Sequence, residues 1–210
     1  MTAISDSSPK EIFSVKLFIE NNFLPKQVAN TLFDYTLRNE GYFTPSTITT
    51  GEKDYRKSLV LRKPDKIKDM FETRIRQLLP DAISQFNVSL DVDSDIDLQI
   101  TASSQGDFFK IHNDNGDNKT NHRKITFVYY FMKQPQSFSG GDLKIYDYRI
   151  ENKLYVPAST FRTISPVNNS IIIFPSFQLH EVEKVRNNGV FINARFTVNG
   201  WIGNRKKEAD

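Results

Sequence analysis

Hydrophobic and polar positions fall into two regimes along this chain: helical spacing dominates the first 90 residues, and short strand-length runs follow. After a polar leader over residues 1–10 comes FSVKLFIENNF (13–23), an apolar run rich in β-formers. Pro25 suits the first turn of a helix, Val28, Leu32 and Tyr35 recur at helical spacing, and Gly41 offers an end. Thr, Ser and Gly cluster at 44–51, so 44–60 reads as loop and a short strand. Pro64 opens a second helix in which Ile67, Met70, Phe71, Ile75, Leu78 and Leu79 form one apolar stripe, and Pro80 is expected to stop it. Both stripes predict core-facing surfaces. From about residue 88 onward the pattern predicts strands at 96–103, 108–112, 124–132, 142–148, 152–156, 170–174 and 190–198, separated by Gly, Asn and Pro turns. This is an α+β chain ending in a sandwich or jelly roll.

Strand parity sorts the apolar runs into faces. In RKITFVYYFM (123–132), Thr126, Val128 and Tyr130 share one face, and Ile125, Phe127, Tyr129 and Phe131 the other. In VFINARFTV (190–198), Val190, Ile192, Ala194, Phe196 and Val198 make a wholly apolar face, which leaves Phe191, Asn193, Arg195 and Thr197 turned the opposite way. An arginine directed into a small barrel needs a carboxylate or another anion beside it. Either a structural salt bridge or a bound ligand satisfies that need.

The stretch DFFKIHNDNGDN (107–118) carries the most specific chemistry. His112 and Asp114 stand two residues apart at the end of an apolar run, so on a strand both point the same way. His180 ends a second apolar run, IIIFPSFQLH (171–180). Two imidazoles and one carboxylate on facing strands are the ligand set of non-haem iron(II) sites with open positions.

Composition narrows the remaining classes. The chain has 210 residues, no cysteine and a formal net charge of +3. Disulfides, thiolate nucleophiles and Cys-zinc sites are thereby excluded, and so small a charge argues against nucleic acid as a partner. No apolar run approaches the roughly 20 residues that cross a bilayer and no secretory pattern opens the chain, so a cytoplasmic location without membrane attachment is expected. The alternation Asp91, Asp93, Asp95, Asp97 fails as an EF-hand loop, because Ile96 and Ala102 occupy the positions that need Gly and Glu.

Five pieces in order then carry a resemblance: HND (112–114), RKITFVYYF (123–131), SGGDLKIY (139–146), ISPVNNSIIIFPSFQLHEV (164–182) and RFTVNGW (195–201). The chain resembles the iron(II)- and 2-oxoglutarate-dependent oxygenases, and within them is most similar to the prolyl 4-hydroxylase branch. The resemblance implies a double-stranded β-helix (jelly roll) with N-terminal helices packed on one sheet. It divides the chain into a leader (1–10), a single dioxygenase domain (11–203, with 11–90 mostly helical support and 91–203 the catalytic core) and a polar tail (204–210). It also implies iron(II), 2-oxoglutarate and O2 as cofactor and co-substrates, with ascorbate supportive. His112, Asp114 and His180 would hold the iron. Arg195 would bind the distal carboxylate of 2-oxoglutarate, with Tyr130 donating to the same group and Thr126 lining the pocket. Val128, Leu143 and Trp201 would wall the active site or serve as plain core, and Arg123 and Ser103 would border the substrate.

Two features depart from the family pattern. Ser103 stands where many members carry a Tyr, and the interval from His180 to Arg195 is lengthened by Arg186-Asn187-Asn188-Gly189, expected as a hairpin extension. The complete triad implies hydroxylation and not halogenation, and Trp201 departs from the R-x5-R of nucleic-acid demethylases. The expected activity is hydroxylation of an unactivated C–H bond, favouring a prolyl residue of a peptide or protein held by residues 46–57 and 115–123. A free amino acid or small metabolite as substrate stays open, as does a non-catalytic jelly-roll module binding metal or ligand.

Overall fold

The computed structural model of the chain describes residues 11–46, 55–91 and 93–204. The leader over 1–10, most of the expected peptide-holding stretch 46–57 with its Gly51, and the basic tail at 205–207 lie outside the described residues. In chain order the first elements are β1 (Phe18–Asn21), α1 (Lys26–Arg38), β2 (Thr44–Pro45), β3 (Arg56–Lys57), β4 (Leu59–Arg62) and α2 (Asp65–Ile83). The barrel strands follow: β5 (Asp95–Ser103), β6 (Phe108–His112), β7 (Arg123–Phe131), β8 (Ser139–Gly140), β9 (Leu143–Glu151) and β10 (Leu154–Ile164). The last are β11 (Ser170–Pro175), β12 (His180–Val182), β13 (Val185–Arg186) and β14 (Arg195–Gly203).

Two antiparallel sheets form a double-stranded β-helix. The larger has seven strands in the order β1-β11-β7-β14-β5-β4-β2, the smaller five in the order β10-β9-β12-β6-β3, and β13 with β8 makes a separate pair. Period-two patterning on β7 and β14 divides the apolar residues between two cores. Ile125, Phe127, Tyr129, Phe131, Phe196 and Val198 turn outward and join Leu32 of α1 and Ile67, Phe71, Ile75 and Leu78 of α2 in the larger core. Val128 and Tyr130 turn inward and meet Leu143 and Ile145 of β9 across the barrel. No helix among the described residues is long and apolar enough to cross a membrane.

Phe71 is fully buried and joins the two layers: its ring meets Tyr129 of β7 edge-on at 5.2 Å and Phe23 at 5.9 Å. Phe71→Ala is expected to destabilise the protein by about 3–5 kcal/mol, read as a lower midpoint in urea at unchanged slope.

The structure corrects the sequence reading at several points. Helix α1 ends at Arg38, before Gly41, because the Asn39 side-chain amide donates to the Tyr35 carbonyl at 2.7 Å and satisfies one of the terminal acceptors. Pro80 does not stop α2, which runs on to Ile83. Proline removes one helical donor near the helix end, while Ala82 and Phe86 beyond it are buried in the core and hold the chain on its course. Strand β10 reaches Ile164, well past the expected 156, because it is an exposed edge strand whose register shifts between Pro157 and Phe161 and whose alternation is lost there. The expected strand 190–198 begins only at Arg195, since Phe191–Asn193 form a 3-10 turn. Phe191 consequently packs on Phe196 at 5.1 Å and lies on the core side, opposite to its parity assignment.

Candidate active site

The inner faces of both sheets enclose a cavity of about 730 Å3. His112 and His180 stand directly opposite each other on the paired strands β6 and β12, with ring centroids 4.1 Å apart. Each imidazole is oriented from behind by a backbone carbonyl: Nδ1 of His112 lies 2.7 Å from the Lys110 oxygen, and Nδ1 of His180 lies 2.9 Å from the Gln178 oxygen. Both Nε2 atoms therefore face Asp114, at 3.9 Å from Oδ1 for His112 and 3.5 Å from Oδ2 for His180. One ligand atom from each of the three residues lies within 4.8 Å of the others, close enough for one ion to touch all three after small rotations.

Asp114 reaches this position by a different route from the expected one. Strand β6 stops at His112, and Asp114 sits in the bend that follows. Its amide donates to the Ser176 carbonyl at 2.9 Å, and the Thr126 hydroxyl donates to its Oδ2 at 2.8 Å while lying 3.0 Å from the Ser176 hydroxyl. Thr126 lines the cavity, but its hydroxyl is committed to aiming the carboxylate. Ser176 was not legible as a site residue, because nothing in its spacing marks it.

Electrostatics suit a cation. Burial, with His180 alongside, pushes the His112 imidazole down to about 3, so it is neutral and able to donate a lone pair at neutral pH. Burial alone would raise the Asp114 carboxyl, but the two imidazoles and the Thr126 hydroxyl outweigh it and hold it below the usual range. Neutral imidazole and ionised carboxylate are the protonation states a divalent metal requires.

A second feature lies deeper in the same cavity. Arg195 is fully buried, its guanidinium carbon sits 4.8 Å from the Tyr130 ring centre, and its Nε and Nη2 lack any hydrogen-bond partner. The Tyr130 and Thr197 hydroxyls are likewise buried and unpartnered. Burial lowers Arg195 and raises the Tyr130 phenol, so the first stays charged at neutral pH and the second keeps its proton to donate. Such a cluster is costly unless an anion occupies it. Leu143, Val128 and Ser103 line the cavity around it. At the mouth, the Arg123 guanidinium stacks on Trp201 at 3.9 Å. His122, the third histidine, is half-buried.

Gly141 makes the space for Arg195. At φ 72° it occupies the left-handed region, and a Cβ there would lie 2.6 Å from Cδ of Arg195 and 2.9 Å from Cγ2 of Val185. Gly141→Ala is expected to cost about 1–3 kcal/mol and to push the guanidinium out of line, seen as a lower melting temperature.

A sequence model of the 2OG-Fe(II) oxygenase superfamily matches residues 98–203, half of the chain and every strand that lines this site apart from β3 and β4. The chain belongs to the 2OG-Fe(II) oxygenase superfamily. Membership implies iron(II), 2-oxoglutarate and O2, and the donor set around His112 and the unsatisfied donors of Arg195, Tyr130 and Thr197 fit the first two. This oxygenase is 40% identical over 189 residues to an uncharacterized PKHD-type hydroxylase of Synechocystis sp., across 89% of this chain and 62% of that protein. The chain thus spans less than two thirds of that relative's length. Among solved structures, the oxygenase fold is similar to a prolyl-4-hydroxylase of Pseudomonas putida, with a TM-score of 0.66 at 18% identity over 92% of this chain and 95% of the other. It is also similar to a Trichoplax adhaerens prolyl hydroxylase in complex with a hypoxia inducible factor oxygen degradation domain peptide fragment, with a TM-score of 0.62 at 17% identity over 90% and 84% of the two chains.

Proposed function

We propose that this oxygenase hydroxylates a prolyl residue within a peptide or protein, with His112, Asp114 and His180 holding iron(II) and Arg195 and Tyr130 binding the distal carboxylate of 2-oxoglutarate. The observation that carries the reading is the buried guanidinium of Arg195, with Nε and Nη2 lacking a hydrogen-bond partner among the described residues, in the same cavity as the His-Asp-His cluster. A metal site alone would leave that cation unexplained. The iron, when bound, supplies activation of O2 coupled to oxidative decarboxylation of 2-oxoglutarate to succinate and CO2, with transfer of oxygen to a C–H bond.

The protein's share of the work is orientation and exclusion of water. Thr126 aims the Asp114 carboxylate, and the backbone carbonyls behind His112 and His180 fix which imidazole nitrogen faces the ion. Arg195 offers a planar pair of donors at a fixed depth, so that a five-carbon diacid held there presents its other end towards the metal cluster. Val128, Leu143 and Leu179 form apolar walls that keep bulk water from the reacting carbon.

A peptide substrate is favoured by the prolyl hydroxylase fold neighbours, one of them in complex with a peptide fragment. The test is incubation with iron(II), ascorbate, 2-oxoglutarate and proline-containing peptides alongside free amino acids, followed by mass spectrometry. Gain of one oxygen on a peptide proline with stoichiometric succinate is expected. Turnover of free amino acids with every peptide inert would move the substrate to the small-metabolite class, and no succinate under any condition would leave a non-catalytic metal-binding module.

A further inference from the structure

Four arginines line the active-site cavity. Arg62 donates to the Thr44 hydroxyl at 3.0 Å, and among the described residues Arg56, Arg123 and Arg195 form no ion pair with a carboxylate. Arg195 is accounted for by the co-substrate. Arg56 and Arg123 are not.

Arg56 stands on β3, at the edge of the smaller sheet, opposite Phe109 of β6. Its guanidinium carbon lies 4.7 Å over the Phe109 ring, and that ring stacks on the His112 imidazole at 3.4 Å and 19°. Among the described residues its one side-chain hydrogen bond runs from Nε to the Ser58 hydroxyl at 3.3 Å, and both terminal nitrogens are uncommitted there. Arg123 begins β7 on the larger sheet. Its guanidinium lies on the Trp201 ring, Nη1 reaches the Asp114 carbonyl at 3.5 Å, and Nε is buried without a partner. Both guanidinium groups are thus braced on aromatic rings next to the metal-binding cluster, one from each sheet. Both are also partly withdrawn from water: burial lowers Arg123 and takes Arg56 down to about 10.

A guanidinium held out of water without a counter-ion is costly, and a bound carboxylate with matching fork geometry relieves that cost. The aromatic platforms pre-orient the forks, so little side-chain entropy is lost when an anion arrives. The wider wall has the same sign: six basic side chains against three acidic ones line the cavity, and one of the three is the metal-facing Asp114.

We propose that Arg56 and Arg123 form a second anion subsite beside the metal cluster, which selects a substrate carrying a carboxylate close to the oxidised carbon. The inference rests on the peptide reading above. In its terms the target proline has an Asp or Glu side chain, or the peptide's own C-terminal carboxylate, within one or two residues. Extended chain advances about 3.3 Å per residue, and Arg123 already reaches the backbone of Asp114, so a more distant acid would overshoot both guanidinium groups. Asp114 attracts both guanidinium groups, and Asp97 and Asp117 attract Arg123, but none of the three forms an ion pair with either arginine.

The test uses the full chain loaded with iron(II) and 2-oxoglutarate under anaerobic conditions, with fluorescein-labelled peptides read by anisotropy. The set contains Pro-Asp and Pro-Glu peptides, their Asn and Gln counterparts, free and amidated C-termini, and copies of each with Ala for Pro. Wild type is expected to bind the acidic members about tenfold or more tightly than the amides, the scale of one charge-assisted hydrogen bond. Arg56→Leu and Arg123→Leu should each erase most of that preference, whereas Arg56→Lys retains part of it, with melting temperatures confirming folded variants. Free against amidated termini separates a C-terminal carboxylate from an acidic side chain. Equal binding of acids and amides by wild type overturns the subsite, as does an intact preference in both Leu variants. A raised 2-oxoglutarate requirement in Arg56→Leu with acid preference unchanged also overturns it, by assigning that arginine to the co-substrate. If acidic peptides are preferred with or without proline and no proline gains oxygen, the subsite stands and the prolyl reading falls.

Discussion

Replacing His180 with alanine is expected to abolish tight iron(II) binding while leaving the fold in place. The imidazole supplies one of three ligand atoms, and the remaining His112 and Asp114 pair cannot enclose a divalent ion from a third side. Affinity should fall by well over the roughly 10–100-fold that loss of an outer partner produces, and succinate formation should vanish with it. The fold survives because β12 is held by its backbone, in register with β6 on one side and β9 on the other. The cost of the lost ring, which packs edge-on to Phe174 at 5.0 Å, is that of one buried side chain. Thr126→Val is the graded comparison: it keeps all three ligands, removes the hydroxyl that aims Asp114, and should lower affinity by about 10–100-fold. Metal titration of both variants, with circular dichroism as the fold control, checks the pair. Wild-type affinity in the His180 variant would remove the cluster from consideration as the iron site.

The metal cluster was legible because its chemistry is local in sequence. His-x-Asp and a later histidine announce themselves by residue type, and parity placed Thr126, Val128 and Tyr130 on one face without reference to any fold. The reason Asp114 points correctly was not legible, since it depends on Ser176 and Thr126, residues 62 and 12 positions away from it that only the β7–β11 pairing brings together. Arg56 was illegible for another reason: β3 has two residues, too short for any period to show, and its place beside Phe109 is decided by sheet pairing. Helix boundaries went wrong where tertiary contacts overrode local punctuation, as at Pro80. The part Gly141 plays in clearing space for Arg195 requires the fold.

Replacing Arg195 with leucine separates a ligand-binding arginine from a structural one, because the two readings predict opposite changes in stability. If the guanidinium served a buried salt bridge, breaking it would destabilise the protein by about 3–5 kcal/mol and lower the melting temperature accordingly. Among the described residues Arg195 forms no ion pair and its Nε and Nη2 have no hydrogen-bond partner, next to the Tyr130 hydroxyl. Removing an uncompensated buried cation relieves its desolvation, and leucine fills part of the same apolar space beside Val185 and Leu143. The melting temperature of the ligand-free variant is therefore expected to hold or rise. The 2-oxoglutarate concentration needed for half-maximal succinate formation should climb by about 100-fold, since a bidentate charge-assisted contact is lost in a site from which water is excluded. Thermal stabilisation by added 2-oxoglutarate, present in wild type through preferential binding to the folded state, should disappear in the variant. A collapsed melting temperature with an unchanged 2-oxoglutarate requirement would place Arg195 in the scaffold and move the co-substrate elsewhere in the cavity.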